Sequence, residues 1–519
     1  MHKRRMMRMK RLTRLKQTKM NGQSSEASTN SPSSPSHAKT SNLLVKNQQF
    51  IEATLSDAGD LQRRHFKIED KKASLYYLSS VTEFEKIERM LGSAFDSKRS
   101  LNDMLEHAAM FVPTNSNNKV IEALLEGRSV LLIDGEEMIY LLDTGSIIKR
   151  DTAEPMNEKV VRGSHEGFVE DLGTNVHLIR RRISSHKLAI RYFKLGSDTN
   201  TSLCILHMKG IANPQLVEEI EKRVQSIEMD MTFSPGFIEE FIEDSTFSPF
   251  PQVLNTERPD RTMAALMDGQ IAIMIEGSPT CIITPITFFA FYQSPDDYNS
   301  RFYVGTFYRM IRILSFLIAI LLPAIYIAVV GFHFEVLPND LVLPVKTSVE
   351  QIPYPPIVEA IIMELTIELI REAGVRLPSP IGQTIGIVGG LVIGDAIVTA
   401  GLVSNVMIIV VALTAIAAFV VPSTEMNTSV RILRFPFMFA AATFGFFGIS
   451  FTAMLILIHL CKLESFGIPY FSPVAPFQWK DLKDTFLRMP VWLMNLKPTA
   501  YKPVEKKQQG YSRRWVKNE

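Results

Sequence analysis

The sequence is poor in the residues and motifs from which most catalytic and metal sites are built. Its 519 residues include three cysteines and ten histidines. Cys204, Cys281 and Cys461 have neither metal-ligand nor disulfide spacing, so we expect free thiols. There is no Walker-type loop, no HExxH pair and no glycine-rich strand-to-helix turn in the charged half of the chain. These absences argue against an enzyme, and we expect no catalytic residues, no metal and no cofactor.

Charge is also nearly absent from one part of the chain, which the net charge of +2 conceals. Residues 1–312 have the mixed charge of a soluble protein, whereas 313–332 carry no charged residue. Residues 381–421 contain only Asp395, and 435–461 contain only His459. Apolar stretches of this length predict membrane spans.

The N-terminus lacks a secretory signal, because no apolar region follows its basic start at 1–19. The tract 21–41 is rich in Ser, Thr, Asn and Pro and predicts a disordered tether. The basic start could contact anionic membrane lipid or simply be solvated. We do not expect nucleic acid as a partner.

The charged half repeats itself. The pattern around Gly127 and Gly135 recurs around Gly269 and Gly277, shifted by the same 142 residues. This indicates two related α/β units, in each of which a hairpin turn needs a positive φ, at Gly135 and Gly277. We therefore predict an α/β soluble region of two tandem related subdomains followed by an α-helical transmembrane domain. The expected boundaries are a disordered tail at 1–44, α/β subdomain 1 at 45–160, a linking helix and α/β subdomain 2 at 161–300, a helical membrane domain at 301–465 and a basic tail at 466–519.

The basic run 180–182 between the two units is typical of a solvated face, or of a contact for an acidic partner or for lipid headgroups. Arginines before the first span place the soluble half on the cytoplasmic side. Residues 431 and 434 are arginines that we assign to another inner loop. The basic C-terminal end also predicts a cytoplasmic position, but five apolar segments would put it outside. One segment should therefore not cross fully, either the helix starting at Pro356 or the stretch 405–421.

That helix, 356–374, carries five charges amid membrane-grade sequence. Each central acid or arginine costs about 2.5–3.5 kcal/mol on insertion scales, and each aliphatic returns only about 0.3–0.6 kcal/mol. One face has the form of a cation vestibule above an apolar gate, and its pore candidates are Glu359, Ile362, Met363, Thr366 and Ile370. The other polar residues are salt-bridge or interface candidates, namely Glu364, Glu368 and Arg371. An alternative is that all the glutamates merely pair with other polypeptide.

A glycine stripe follows at Gly382, Gly386, Gly390 and Gly394. Such spacing predicts close packing against another helix. The adjacent Asp395 either forms a buried hydrogen bond that stabilises this packing or belongs to an ion path.

Six segments also form a set of motifs, namely 161–168 (VRGSHEGF), 211–214 (IANP), 250–260 (FPQVLNTERPD), 291–298 (FYQSPDDY), 371–378 (REAGVRLP) and 385–394 (IGIVGGLVIG). They resemble motifs of one known family, the spore germinant receptor A subunits (GerA family), including its SpoVAF-like accessory paralogues. The resemblance runs in order from about residue 45 to residue 485. It implies a germination receptor subunit in the spore inner membrane. Its partners would be a transporter-like, nutrient-binding B subunit and a C lipoprotein, and its copies would form an oligomeric ring that conducts ions.

Three functions are therefore open. The first is an oligomeric, nutrient-gated cation channel subunit. The second is a secondary transporter that binds a solute near Asp395 and 378–382, although no repeat is visible in the membrane half. The third is a non-conducting scaffold for the B and C subunits.

Overall fold

The computed structural model describes residues 39–68, 71–96, 111–146, 154–231, 234–378, 381, 390, 392 and 394–510. Over these residues an α/β soluble half is followed by a helical half, which confirms the predicted fold class.

Each α/β subdomain contains one five-stranded sheet and its covering helices. The first comprises α1 Leu44–Thr54, β1 Leu61–Ile68, β2 Lys71–Leu78, α2 Phe84–Asp96, β3 Phe111–Thr114, α3 Asn117–Leu125, β4 Ser129–Ile133 and β5 Ile139–Leu142. The linking helix is α4 Leu172–Arg182. The second comprises β6 Leu188–Leu195, β7 Thr201–Met208, α5 Pro214–Gln225, α6 Pro235–Ile242, β8 Leu254–Thr256, α7 Pro259–Asp268, β9 Ile271–Ile275, β10 Cys281–Thr284 and α8 Pro295–Asn299.

The two sheets have the same topology, which confirms the predicted duplication. Their strand orders are β1-β2-β4-β5-β3 and β6-β7-β9-β10-β8, with every neighbouring pair antiparallel. The turns after β4 and β9 have Gly135 at φ 86° and Gly277 at φ 83°, as their sequence predicted. A side chain at either position would be strained, so glycine is required there.

Both faces of each sheet are covered. Every residue of β4 and β9 is buried. Because successive side chains of a strand point to opposite faces, each of these strands contributes to two cores. One face of the second sheet packs against α5 and α6. The other face shares its core with the membrane-helix residues Met426, Leu433 and Leu460, so the soluble and helical halves form one packed unit.

One residue of the basic run 180–182, Arg180, joins the two subdomains instead of facing solvent. Arg180 is fully buried, and its Nη2 donates to Oδ1 of the equally buried Asp60 of subdomain 1 at 2.7 Å. Arg182 pairs with Glu166. Only Arg181 is exposed. The expectation of a solvated or partner-binding face is therefore wrong for Arg180, because a buried arginine needs a carboxylate partner and subdomain 1 supplies it.

The helical half begins where α8 ends. It contains the first apolar helix Phe302–Phe332, a peripheral helix Asn339–Glu350, the acidic helix Pro356–Arg376, a short helix Gly394–Thr399, the short apolar helix Asn405–Phe419 and the hairpin helix Thr424–Lys462. Among the described residues, Phe302–Phe332 and Thr424–Lys462 are long and apolar enough to cross a membrane. A C-terminal segment follows with β11 Glu464–Ser465, β12 Ile468–Pro469 and the 3₁₀ turns Asp481–Asp484, Val491–Leu493 and Thr499–Tyr501.

The hairpin helix doubles back at Gly445, whose φ of 57° and ψ of −137° interrupt the helix. The ring of His333, at the far end of the first apolar helix, stacks on Phe446 with centroids 5.0 Å apart. Both ends of the hairpin return to the soluble half. Its first arm, 424–444, would be about 31 Å long and its second, 446–462, about 25 Å, close to the thickness of a bilayer core.

This turn changes the expected path of the chain. The last apolar segment supplies two antiparallel arms instead of the one span that we expected there. The C-terminal segment consequently packs on the soluble half, where Tyr470 donates its hydroxyl to the carbonyl oxygen of Pro251 at 2.7 Å. Which of the other segments crosses fully stays a prediction. Arg431 and Arg434 lie within the first arm, so the expectation that they mark an inner loop is wrong.

Candidate functional site in the helical half

The acidic helix lies beside three apolar neighbours. It begins at Pro356, whose missing N–H is unneeded in a first helical turn, and it ends two residues before Pro378. It packs on the first apolar helix, the short apolar helix and the first arm of the hairpin. Its charged side chains therefore meet the interior of the helical half on one side.

Glu359 is fully buried against the N-terminus of the short apolar helix. Its Oε1 accepts the backbone N–H of Ser404 at 2.6 Å and also the hydroxyl of Ser404. The hydroxyls of Ser404 and Tyr326 lie 2.9 Å apart. Oε2 of Glu359 has no hydrogen-bond partner among the described residues. In the single chain, the predicted vestibule carboxylate thus faces protein.

Glu364, five residues further along the acidic helix, is also buried and is paired with Arg434 of the hairpin helix. The Nε of Arg434 also donates to the carbonyl oxygen of Ala319 at 3.0 Å. In a regular helix this carbonyl would accept the N–H four residues on, but that residue is Pro323, which has none. One guanidinium therefore neutralises a buried acid and satisfies the carbonyl that a proline leaves free.

The remaining charges of the acidic helix also find partners in the same chain. Glu368 pairs with Arg371 and, at 2.6 Å, with Arg431 of the hairpin helix. Glu372 pairs with Arg376 at 2.6 Å on the exposed side. In the single chain, Glu364, Glu368 and Glu372 therefore pair with arginines of the same chain, and pairing across subunits stays a prediction.

The predicted pore face is divided between the interior and the border of the bundle. Met363, like Glu359, is buried, whereas Ile362, Thr366 and Ile370 are half-buried. Thr366 donates its hydroxyl to the carbonyl oxygen of Ile362 at 2.7 Å. The roles assigned to these residues stay predictions.

The glycine stripe is described only in part. Gly382 and Gly386 lie outside the described residues. A Cβ built on Gly390 or Gly394 would meet no heavy atom of the described chain within 4 Å, and Asp395 is exposed. Their predicted packing and ion-path roles also stay predictions.

The junction between the halves is a buried ionic network that the sequence did not reveal. Asp297, fully buried, accepts Nε of Arg309 at 3.2 Å and Nη1 of Arg312 at 2.7 Å. Arg309 also pairs with Asp484 of the C-terminal segment at 2.9 Å, and the hydroxyl of Tyr298 donates to Asp484 at 2.7 Å. Arg309 and Arg312, two of the three arginines that predicted the orientation, thus also fasten the first apolar helix to both of its soluble neighbours.

The soluble half also holds both ends of the hairpin helix. The amide Nδ2 of Asn255 donates to Glu425 at 2.5 Å and to Glu239 at 2.7 Å. At the other end, Oγ of Ser248 lies 2.9 Å from Nε2 of His459. Burial raises the pKa of nearby Glu243 to about 7, although the N–H of Gln252 opposes the shift. Carboxylates therefore crowd the contact through which the soluble half touches the first arm.

A second charged region lies where the C-terminal segment meets α7. A cavity of about 280 Å³ is lined by Asp268, Asp481, Asp484, Lys480 and Lys483, among others. Burial, and then the charge of Asp484, raises the pKa of Asp268 to about 7. The described residues contain no group of three or more His, Cys, Asp or Glu side chains that could hold a metal ion.

Comparison with known proteins gives a consistent result. The profile of the Bacillus/Clostridium GerA spore germination protein family matches residues 49–500. Spore germination protein A1 of Bacillus subtilis is 40% identical over 423 residues, covering 80% of this chain and 87% of that protein. Spore germination protein KA of B. subtilis is 40% identical over 397 residues, covering 76% and 73%, and GerLA of Bacillus cereus is 42% identical over 379 residues, covering 73% and 77%.

The chain is also similar to a solved structure. The crystal structure of the N-terminal domain of the A subunit of the Bacillus megaterium spore germinant receptor GerK3 is 28% identical, with a TM-score of 0.39, and covers 49% of this chain and 98% of that one.

The structure combines two related α/β subdomains with two helices that are long and apolar enough to cross a membrane, and the two parts share a core. These features are those of a membrane-associated protein with a large soluble half. The profile match over most of the chain and the 40% identities specify it further. The chain belongs to the GerA family of spore germination proteins.

Proposed function

We propose that this chain is the A-type membrane subunit of a nutrient receptor that triggers spore germination. The family match over residues 49–500 carries this proposal. The protein would lie in the spore inner membrane with its soluble half on the cytoplasmic side. It would act with a transporter-like B subunit, which holds the nutrient, and with a C lipoprotein.

The same proposal includes conduction. Copies of the chain would form a ring in which the acidic helices border a cation pore. The supporting observation is that the single chain leaves one side of this helix uncovered, with Leu365 50% and Leu369 71% exposed. Ile362, Thr366 and Ile370 lie beside that uncovered side, so neighbouring copies would enclose them. Glu359 and Met363 would reach the lumen only if the helix turned about its axis, which is a change that nutrient binding could drive.

Planar-bilayer recording of the purified protein, with and without its partners, tests conduction directly. We expect nutrient-dependent cation currents from the complete receptor. Alanine at Ile362 or Met363 should cause premature or leaky germination, because each substitution removes apolar bulk from the gate. Alanine at Val375, an exposed aliphatic residue on the opposite side of the same helix, is the matched control. Unchanged dormancy, germination and ion release in both gate variants would refute the gate assignment.

A non-conducting scaffold is the second candidate, and one observation favours it. Glu364, Glu368 and Glu372 are each neutralised within the single chain, so they do not require a wet lumen. Glu359→Gln separates the candidates: an unaltered rate of ion release with normal assembly of the complex would support the scaffold.

A further inference from the structure

The buried carboxylate of Glu359 ends a hydrogen-bond chain that joins three helices. Tyr326 belongs to the first apolar helix, and Ser404 is the N-cap of the short apolar helix. Tyr326 lies six residues before the end of its helix, so the chain of hydrogen bonds is about 9 Å from that far end. Glu359 itself is 0% exposed.

The direction of each hydrogen bond follows from counting protons. The hydroxyl of Ser404 accepts the N–H of Met407 at 3.2 Å, and it has one proton to give. Its backbone N–H already donates to Oε1 of Glu359. If the Ser404 hydroxyl donates to the same Oε1, then Tyr326 must donate to Ser404. Both donors of Ser404 therefore point to Oε1, and Tyr326 donates to Ser404. Oε2 is left as the atom that can carry a proton.

Magnitudes decide the charge state. A buried carboxylate without a cation costs several kcal/mol. Two helix N-termini lie beside Glu359, that of the acidic helix itself and that of the short apolar helix. Each favours the charged carboxylate by about 0.3–1 kcal/mol, or by about 2 kcal/mol in the most favourable geometry. A proton on Oε2 removes the charge and leaves only one hydroxyl without an acceptor, at about 1–3 kcal/mol. The two Ser404 hydrogen bonds to Oε1 are kept by the neutral acid, and charging the carboxylate strengthens each by about 1 kcal/mol. These opposing effects reduce the cost of burial but do not cancel it, so burial shifts Glu359 towards the neutral acid.

The ionisable groups on the helices packed around Glu359 give it no paired cation among the described residues. On the first apolar helix, Tyr326 belongs to the hydrogen-bond chain, and His333 at the helix end stacks on Phe446. Asp340 of the peripheral helix is an exposed acid. The short apolar helix has no ionisable side chain. On the hairpin helix, Arg434 is committed to Glu364. On the peripheral helix, Lys346 and Glu350 pair with each other at 3.7 Å in exposed positions.

We propose that Glu359 binds a proton at Oε2 and that this proton holds the acidic helix in its closed position. This inference rests on the proposed pore, because the proton is released when Glu359 turns into the wet lumen and ionises there. The closed state then holds one more proton than the open state. Raising the pH should favour opening, by up to tenfold in the open-to-closed ratio per pH unit.

The test records open probability against pH for the complete receptor in planar bilayers. We expect wild type to open more readily as the pH rises. Glu359→Gln imitates the neutral acid, so it should stay closed and lose the pH response. Ser404→Ala removes one donor but not the acid, so it should leak more and keep the response. Glu372→Gln, on the exposed side, is the matched control and should behave like wild type.

A second readout does not depend on current. The infrared difference spectrum of the whole protein at neutral pH, wild type minus Glu359→Gln, should show the carbonyl band of a protonated carboxylic acid. Glu243 and Asp268, whose pKa values are raised to about 7, contribute equally to both proteins and cancel. Absence of this difference band would overturn the proton site. Currents that do not respond to pH would refute the proposal that the proton holds the acidic helix closed, but they would still support the proposed pore. A normal infrared band in a receptor that passes no current would leave the proton site standing and would refute both the pore and the gating role.

Discussion

Arg434 is expected to be the most sensitive position in the helical half, because it serves both a buried acid and the carbonyl that Pro323 leaves without its usual helical donor. Glu364→Gln should cost about 3–5 kcal/mol, since it leaves the buried guanidinium without its anion. Arg434→Met strands both the acid and the carbonyl oxygen of Ala319, and the second group adds about 1–3 kcal/mol. We therefore expect a loss of about 4–8 kcal/mol for Arg434→Met.

Two further variants separate these contributions. Replacing Glu364 and Arg434 together by Met removes both charges, so only the stranded carbonyl should remain, at about 1–3 kcal/mol. Adding Pro323→Ala returns an N–H to the first apolar helix four residues beyond Ala319. Pro323→Ala should recover the stability that the double variant loses through the unpaired carbonyl of Ala319. It should therefore stabilise the double variant more than it stabilises wild type.

The measurement is unfolding of detergent-purified protein by titration with a denaturing detergent, followed by circular dichroism. Equal effects of Pro323→Ala in wild type and in the double variant would show that the carbonyl of Ala319 is not what links Arg434 to the proline. A Glu364→Gln variant as stable as wild type would refute the buried ion pair itself.

Three other predictions concern the hairpin, the subdomain interface and pH. Gly448→Ala should prevent closure of the hairpin, because its Cβ would stand 2.0 Å from a backbone carbonyl oxygen of the opposite arm. Gly331→Ala, with open space around the new Cβ, should fold normally. The yield of monodisperse protein in size-exclusion chromatography compares the two variants. Arg180→Ala should destabilise the protein by about 3–5 kcal/mol by leaving a buried carboxylate unpaired and should expose the subdomain boundary to protease, whereas Arg181→Ala should not. Glu243 has a pKa of about 7 in the folded protein against 4.5 when unperturbed. The stability that it contributes is therefore intact below pH 4.5 and is lost as the pH rises through about 7. Glu243→Gln should flatten that part of the profile of thermal unfolding against pH.

Sequence reasoning succeeded where the signal is local or repeated. The 142-residue offset anticipated two sheets of identical strand order, and the glycines at 135 and 277 anticipated their turns. It failed for Arg180, because a basic run looks the same whether it faces water or a distant aspartate. It also missed the turn at Gly445, because a glycine in an uninterrupted apolar run gives no sign that the chain reverses there.

The sequence alone determined which segments are apolar, which half is duplicated and which helix carries charge into apolar surroundings. These properties depend on residue type and on periods of a few residues, so they can be read without knowing what the chain touches. Only the tertiary structure decided that Arg434 neutralises Glu364, that Arg434 also serves the carbonyl of Ala319, and that Ser404 hydrogen-bonds Glu359. Those pairings join residues between 45 and 115 positions apart, so they depend on how whole helices pack.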